Sequence, residues 1–510
     1  MREIDYLCPQ VKHNSQLIMK QLIVIVLCLV EALASLQGMA ATRPDILVFT
    51  DPHLMAPALV KKQGQAVQAL AQSDMRMIVQ SDAIVAELVK QALAAKPRLV
   101  LVTGDLTKDG ELVSHKRFIA HLDKLRKAGI KVLVIPGNHD INSPYGRYYD
   151  GASTSPAQGV SPDEFARLYS NCGYGAGSRR DTASLSYACE PLPGYVVIGI
   201  DSNRYADNRL KSRGDSVDSR PSAGRIKAST LEWVCDQARQ ATAAGKHVIA
   251  MMHHHVVEHF DKEANFLSPY MVAHPESDRQ QLLAAGIHTI FTGHLHVSDI
   301  ARDYNSDRTD SITEVATGSL CTYPLHYRLV RLHGGKASIT TRSIKQVPGC
   351  PDLQAQARAQ VEQAVPGLVD GLARKGYKKL QGAMGHLSGI MGLLGGGTQL
   401  AASDPAPFLK IVHEQYDAVG KQAYLIFLEG NEGRNKQSKA VTSRLESGIT
   451  GVLNASMPGM GGLLESIQGF IKENALPEFD NLLRSVMEDR NHCGTDREVV
   501  VDDLATTLPL

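Results

Sequence analysis

Five short apolar runs in this chain each break off into a group of metal-type ligands, and no other feature constrains the fold so tightly. Ile46 to Phe49 leads into Asp51-Pro52-His53, Leu99 to Val102 into Gly104-Asp105, and Lys131 to Ile135 into Gly137-Asn138-His139-Asp140. Val248 to Met251 leads into His253-His254-His255, and His288 to Phe291 into Gly293-His294-Leu295-His296. A short apolar run bounded by turn residues reads as a buried strand. Open α/β sheets keep their chemistry at the ends of such strands. Carboxylates, an amide and imidazoles gathered there are hard to justify as packing and easy to justify as a site.

Helical patterns over roughly Met75 to Ala95, Leu112 to Ala128 and Leu231 to Ala243 alternate with the runs. This is repeated βαβ logic, so the fold class is α/β with a largely parallel sheet. Ile312 to Ala316, Tyr327 to Leu332 and Ala337 to Thr341 read as closing antiparallel strands, which sets the first domain at residues 42–347. Within it, residues 141–185 dissolve into Gly, Ser, Pro, Tyr and Arg, and so long an insertion is expected to be a lid or specificity element. After Pro348-Gly349-Cys350-Pro351 the composition shifts to Ala, Gln, Leu and Glu, with helical spacing such as Val361, Val365, Leu368 and Leu372. Residues 352–490 therefore read as a mostly helical C-terminal domain, and 491–510 as a tail. Its apolar stripes read as helix packing, with dimerisation or docking as the alternative. A length of 510 residues agrees with two or more domains.

The 54 basic residues balance the 53 acidic ones to a formal net charge of +1, so no basic field points to nucleic acid or to a membrane surface. Near the N-terminus, Lys20, the apolar stretch Leu22 to Val30 and the small residues Gly38 to Ala41 have the layout of a secretory signal peptide. Residues 1–41 are read so, with Met19 as the better start and residues 1–18 as an upstream extension from a misplaced start codon. An uncleaved anchor is the alternative, but the apolar stretch is shorter than the ~20 residues a spanning helix needs. Leu27 before Cys28 argues against a lipoprotein. Six cysteines (Cys172, Cys189, Cys235, Cys321, Cys350 and Cys493) would remain in the mature chain, with no close CxxC pair. Export permits a Cys172–Cys189 disulfide; buried free thiols suit the sequence equally.

The ligand set suits two adjacent divalent ions better than one, with Asp105 able to bridge them through its two oxygens. Gly104, Gly137 and Gly293 supply the torsional freedom for a sharp turn at a strand end. In their order, D-x-H, G-D, G-N-H-D, a histidine after an apolar strand and G-H-x-H resemble the calcineurin-like metallophosphoesterase superfamily, over Asp45 to about Arg342. The resemblance implies a layered α/β/β/α sandwich and an enzyme that hydrolyses phosphoesters with a hydroxide bridging two metals. It implies a first metal on Asp51, His53, Asp105 and His296, and a second on Asp105, Asn138, His253 and His294. His139 would be the catalytic imidazole near the substrate oxygen, with Asp140 orienting it. Where the purple acid phosphatase branch has an iron-binding tyrosine three residues after the bridging aspartate, this chain has Lys108, so Mn, Zn, Fe(II) or Co is expected in place of Fe(III).

Other residues have blander readings beside these. His254 is the rival of His253 as ligand or else a core histidine, His255 stands where many relatives have proline, and His288 reads as structural. Thr107, Lys108 and Asp109 read as ordinary loop residues, with Lys108 near enough to the bridging aspartate to touch a phosphate. Tyr145, Arg147, Tyr148, Tyr323 and His326 lie in loops where substrate contact is possible. The expected substrate is a small-molecule, lipid or nucleotide phosphoester, a phosphodiester first, met outside the cytoplasm. A phosphomonoesterase or nucleotidase, a nuclease and a non-catalytic scaffold are the alternatives. No stable membrane span is expected once the signal is removed.

Overall fold

In the computed structural model the described residues are 43–208, 223–391, 405–432, 435–456, 484–487, 498–499 and 505–510. The signal-peptide reading over 1–41 and Cys493 lie outside them. Ile46–Phe49, Leu99–Val102 and Lys131–Val134 are parallel strands, near-continuous apolar runs of the kind that form when a sheet is covered on both faces. Their register sets Phe49 beside Val102 and Val102 beside Val134. The loops that begin at Asp51, Asp105 and Asn138 therefore leave one edge at one level. Antiparallel His326–His333 and Lys336–Ser343 extend this sheet on the far side of Ile46–Phe49.

A second sheet places His247–Met252 between Tyr195–Ile200 and Thr289–Thr292, all parallel. Met251 pairs with Phe291, so His253 and His294 also emerge level. The two sheets share one core, in which Leu47, Phe49 and Val100 meet Val197, Ile249, Met251 and Phe291. Helices Ser81–Ala95 and Leu112–Lys127 cover the first sheet with residues such as Ile84, Leu88, Phe118 and Leu122. Ala228–Ala243 and Pro275–Ala284 cover the second with Leu231, Val234, Leu282 and Leu283. This is the expected α/β/β/α layering, with a helical C-terminal region of Leu353–Met391, Ala406–Glu429 and Ser438–Ser456 after it.

Several local readings differ. The helix expected from Met75 starts at Ser81, after a separate helix Gln65–Ser73, because Asp74 and Arg76 bond to each other and Met77 N–H donates to the Cys321 carbonyl. Ser311–Ala316 runs parallel to Thr289–Thr292; its antiparallel partner is a strand the pattern did not reveal, Asp299–Tyr304. Much of 141–185 is packed structure, with Phe165, Tyr169, Cys172 and Tyr174 buried in the core and Arg147–Asp150 and Ser153–Pro156 pairing in a small sheet with Val60–Lys62. In the stretch read as a tail, Ala505–Pro509 is a strand on the edge of the first sheet, paired with Lys336–Ser343 and burying Leu508. Cys172 and Cys189 are free thiols. Of the expected helical stripe, Val361 and Val365 are buried, whereas Leu368 and Leu372 are 41% and 69% exposed. No helix among the described residues is long and apolar enough to cross a membrane.

Candidate metal centre

Five of the seven expected ligands, Asp51, His53, Asp105, His294 and His296, have left-handed backbone, with φ of 49°, 39°, 49°, 68° and 67°. Such conformations cost a non-glycine residue free energy and persist where function demands them. Here they turn each side chain back toward the sheet edge. Of the strand-end glycines only Gly104 has positive φ, at 101°. At Gly137 and Gly293 space, not torsion, forbids a side chain: a Cβ would lie 2.2 Å from Asp105 Oδ1 and 2.0 Å from Thr50 Oγ1.

Asp51 Oδ2 accepts from Thr50 Oγ1 and His294 N–H, at 2.6 and 2.9 Å. Its other oxygen, Oδ1, is buried without a hydrogen-bond partner and lies 3.3 Å from His296 Nε2 and 3.6 Å from His53 Nε2. His53 Nε2 and His296 Nε2 face each other at 3.2 Å. Bonds of about 2.0–2.2 Å to a shared cation leave neighbouring ligand atoms roughly 3.0–3.6 Å apart, so this convergence has the spacing of a metal site. On the other side, His253 Nδ1 donates to the Thr103 carbonyl (2.9 Å), which turns Nε2 toward Asn138 Oδ1 at 3.2 Å and Asp105 Oδ2 at 3.5 Å. His294 Nε2 donates to the Pro269 carbonyl (3.1 Å), and Asp105, His253 and His294 bring ligand atoms within 4.8 Å of one another.

Asp105 joins the two groups differently from the two-oxygen bridge expected. Oδ1 accepts from the His139 amide at 2.8 Å, and the single oxygen Oδ2 faces both His53, at 3.6 Å, and His253. Burial works against the Asp105 charge, but His139 and His253 hold its carboxyl well below the usual range. Burial opposes charge on His253 too, and Asp105 outweighs it, raising the imidazole to about 9. Burial and Arg76 lower His53, and burial and His254 lower His294, which keeps both in the neutral form that binds metal. Asp105 draws a proton onto His253 where a divalent cation would take that proton's place, and the donor set suits a pair of such ions.

A profile of the calcineurin-like phosphoesterase family matches residues 44–298, half of the sequence. The chain belongs to this family. It is a metal-dependent phosphoester hydrolase of a family built around dinuclear metal sites. Solved structures similar to it include a dimetal phosphatase from Danio rerio, 12% identical over 59% of this chain and 96% of that one, with a TM-score of 0.39. A purple acid phosphatase from yellow lupin seeds is 11% identical over 58% of this chain and 51% of that one, with a TM-score of 0.35. No curated protein sequence matches the chain.

The residues around the ligands depart from expectation. Asp140 was expected to orient His139; instead its oxygens accept from Leu106 N–H, Gly137 N–H and both the amide and hydroxyl of Thr107, at 2.8–3.0 Å. It ties the Asp105 loop to the Gly137 loop. Burial and the Asp105 charge raise its carboxyl to about 7 against the donors. His139 is held by the Lys108 carbonyl (2.7 Å) and by Asp109 Oδ1 (3.1 Å) on Nδ1, and Asp109 in turn pairs with the buried Lys108 ammonium. Asp109 was readable only as one carboxylate in a loop. His254 meets Ser202 Oγ (2.8 Å), and His255 Nε2 donates to the Gly293 carbonyl (3.0 Å), bracing the loop that bears His294. Arg147 caps the Pro144 and Gly146 carbonyls, Tyr148 lies under Lys61, Tyr323 bonds Glu429 and His326 meets Ser298. Tyr145 is half-buried in the turn before Arg147.

Beneath Asp140, His115 is buried in a neutral tautomer, Nε2 donating to the Asp140 carbonyl and Nδ1 accepting from Tyr169 Oη, both at 2.9 Å. Burial lowers its pKa to about 4. The unfolded chain takes this proton near 6.5, so the stabilisation is complete above that value and is lost as pH falls toward 4, about 3 kcal/mol in all. Denaturant unfolding between about pH 7 and pH 4 should show a steeper loss in wild type than in His115→Gln; equal slopes would refute it.

Proposed function

We propose that the chain is an exported phosphodiesterase that works with two divalent ions, one held by Asp51, His53, Asp105 and His296 and the other by Asp105, Asn138, His253 and His294. The observation that carries this reading is the single oxygen Asp105 Oδ2 facing His53 and His253 at 3.6 and 3.5 Å. When bound, two such ions supply Lewis acidity at the phosphoryl oxygens and a nucleophile from water at neutral pH. Imidazoles, carboxylates and one amide suit Mn, Zn, Fe(II) or Co. His139 has Nδ1 committed to Lys108 and Asp109, so Nε2, 3.8 Å from Asp105 Oδ2, is the atom that passes a proton to the departing oxygen.

Charge favours a diester. Arg76 arrives paired with Asp74 and Lys108 with Asp109, so neither adds a net charge to the metals. A diester carries one negative charge and a monoester up to two. The signal-like N-terminus supports a substrate met outside the cytoplasm, such as a phospholipid headgroup or a nucleotide diester.

Metal analysis with a panel of nitrophenyl esters tests the reading. Two divalent ions per chain and faster hydrolysis of bis(4-nitrophenyl) phosphate than of 4-nitrophenyl phosphate are expected; the reverse preference would make the chain a monoesterase or nucleotidase. Sequencing the secreted protein should find an N-terminus near Ala41, and a cytoplasmic protein starting at Met1 or Met19 would overturn export.

A further inference from the structure

Arg76 reaches the metal centre from a segment that carries none of the expected ligands. Asp74 takes its Nε and Nη2 edge at 2.8 and 2.7 Å, which leaves Nη1 as the end toward the site. Nη1 stands 3.0 Å from Nδ1 and 3.4 Å from Nε2 of His53. Distances so nearly equal to the two nitrogens that flank one ring carbon put Nη1 over the ring face and not in its plane, where it would collide with that carbon. The in-plane lone pair of His53 is then left for a cation. With its side chain 17% exposed, Arg76 is neither sealed in the core nor a solvated surface residue.

The position of this arginine is set from the C-terminal region. Gln360, on the helix Leu353–Met391, brings its amide nitrogen within hydrogen-bond distance of the carbonyls of Ala71, Asp74 and Arg76. Tyr424, on Ala406–Glu429, reaches Met75 Sδ at 3.5 Å. Two dications against the carboxylates of Asp51 and Asp105 and one hydroxide drawn from water leave the ligand set short of one negative charge. Asp74 balances only the guanidinium, so a phosphoryl group is the anion that completes the cluster, and arginine beside it can donate a charge-assisted hydrogen bond.

We propose that Arg76 receives a non-bridging phosphoryl oxygen of the substrate through Nη1, and that Gln360 is the positioning residue that holds its loop over His53. The helical region thereby takes part in substrate recognition. This inference rests on the ligand assignment above, whichever ester the enzyme prefers.

The test uses the full-length protein, its metal content, kinetics on bis(4-nitrophenyl) phosphate and inhibition by inorganic phosphate. Arg76→Ala should keep both ions, lower kcat/KM about 10- to 100-fold, mainly through KM, and weaken phosphate inhibition by a similar factor. Arg76→Lys should recover only part, since lysine keeps the charge but not the fork that Asp74 grips. Gln360→Ala should lower kcat/KM severalfold in wild type and have little further effect in Arg76→Ala, the non-additivity of residues acting as one unit. Unchanged kcat/KM and phosphate inhibition in Arg76→Ala with both ions bound would overturn the role of Arg76. Loss of metal in Arg76→Ala with full activity in Arg76→Lys would make it a brace for His53 and overturn it too. An equal effect of Gln360→Ala in both backgrounds overturns the positioning role. A wild-type protein that does not hold two ions overturns the ligand assignment, and this inference with it.

Discussion

Replacing Asp105 by asparagine is expected to lower turnover about a thousandfold or more and to reduce the metal content of both positions. Metal ions supply several kcal/mol of transition-state stabilisation, and each 1.36 kcal/mol is a factor of ten. The substitution is nearly isosteric. An asparagine oxygen in place of Oδ1 can still accept the His139 amide, which Asp105 holds at 2.8 Å. What replaces Oδ2 is then an amide nitrogen, a donor with no lone pair for a cation, at the one position that faces both His53 and His253. His296→Ala, by contrast, removes a group that meets only Asp51 Oδ1 and His53 among the ligand atoms described, and should mainly empty the first position. Metal analysis beside steady-state kinetics separates the two variants. Wild-type turnover and metal content in Asp105→Asn would remove the dinuclear assignment.

His139→Ala is expected to act through the leaving group. An alkyl or ribose alkoxide is far more basic than nitrophenolate, so it depends on a proton from the imidazole, a contribution typically worth about 10²–10⁴-fold. Turnover of alkyl or nucleotide esters should fall by that range, turnover of nitrophenyl esters far less, and metal content should hardly change. The hydrogen bonds to the Lys108 carbonyl and to Asp109 occupy Nδ1 and so fix Nε2 as the nitrogen that takes part in the transfer. If His139 merely braced its loop, both classes of ester would suffer alike, so a flat ratio across them would exclude proton transfer.

The ligand loops were legible because each follows a strand buried on both faces, and such strands announce themselves as unbroken apolar runs. Parallel register then carries Asp51, Asp105 and Asn138 to one edge of the first sheet, and His253 and His294 to one edge of the second. The supporting residues gave no comparable signal. Asp140 sits next to His139 in sequence, yet successive residues of a turn point in different directions, and its oxygens are consumed by Leu106 and Thr107 of the neighbouring loop and by Gly137 of its own. Asp109 and Arg76 meet the site only through the tertiary fold, and Arg76 lies where a helical pattern had been read through a break. The strand Ala505–Pro509 was missed because an edge strand buries little, here mainly Leu508, and pairs with residues 165 to 173 positions earlier.

The left-handed backbone at Asp51, His53, Asp105, His294 and His296 sets the centre against the heat resistance of the fold. Each such residue strains the native state by about 1–3 kcal/mol, and glycine would relieve most of it, less what its freer unfolded chain gives back. A selection for thermal stability that ignored turnover would therefore drift toward glycine at these five positions and discard the enzyme while improving the scaffold. Keeping aspartate and histidine there is a stability–activity compromise written into the backbone, and a survey of stabilising substitutions in this chain would have to exclude those positions from the outset.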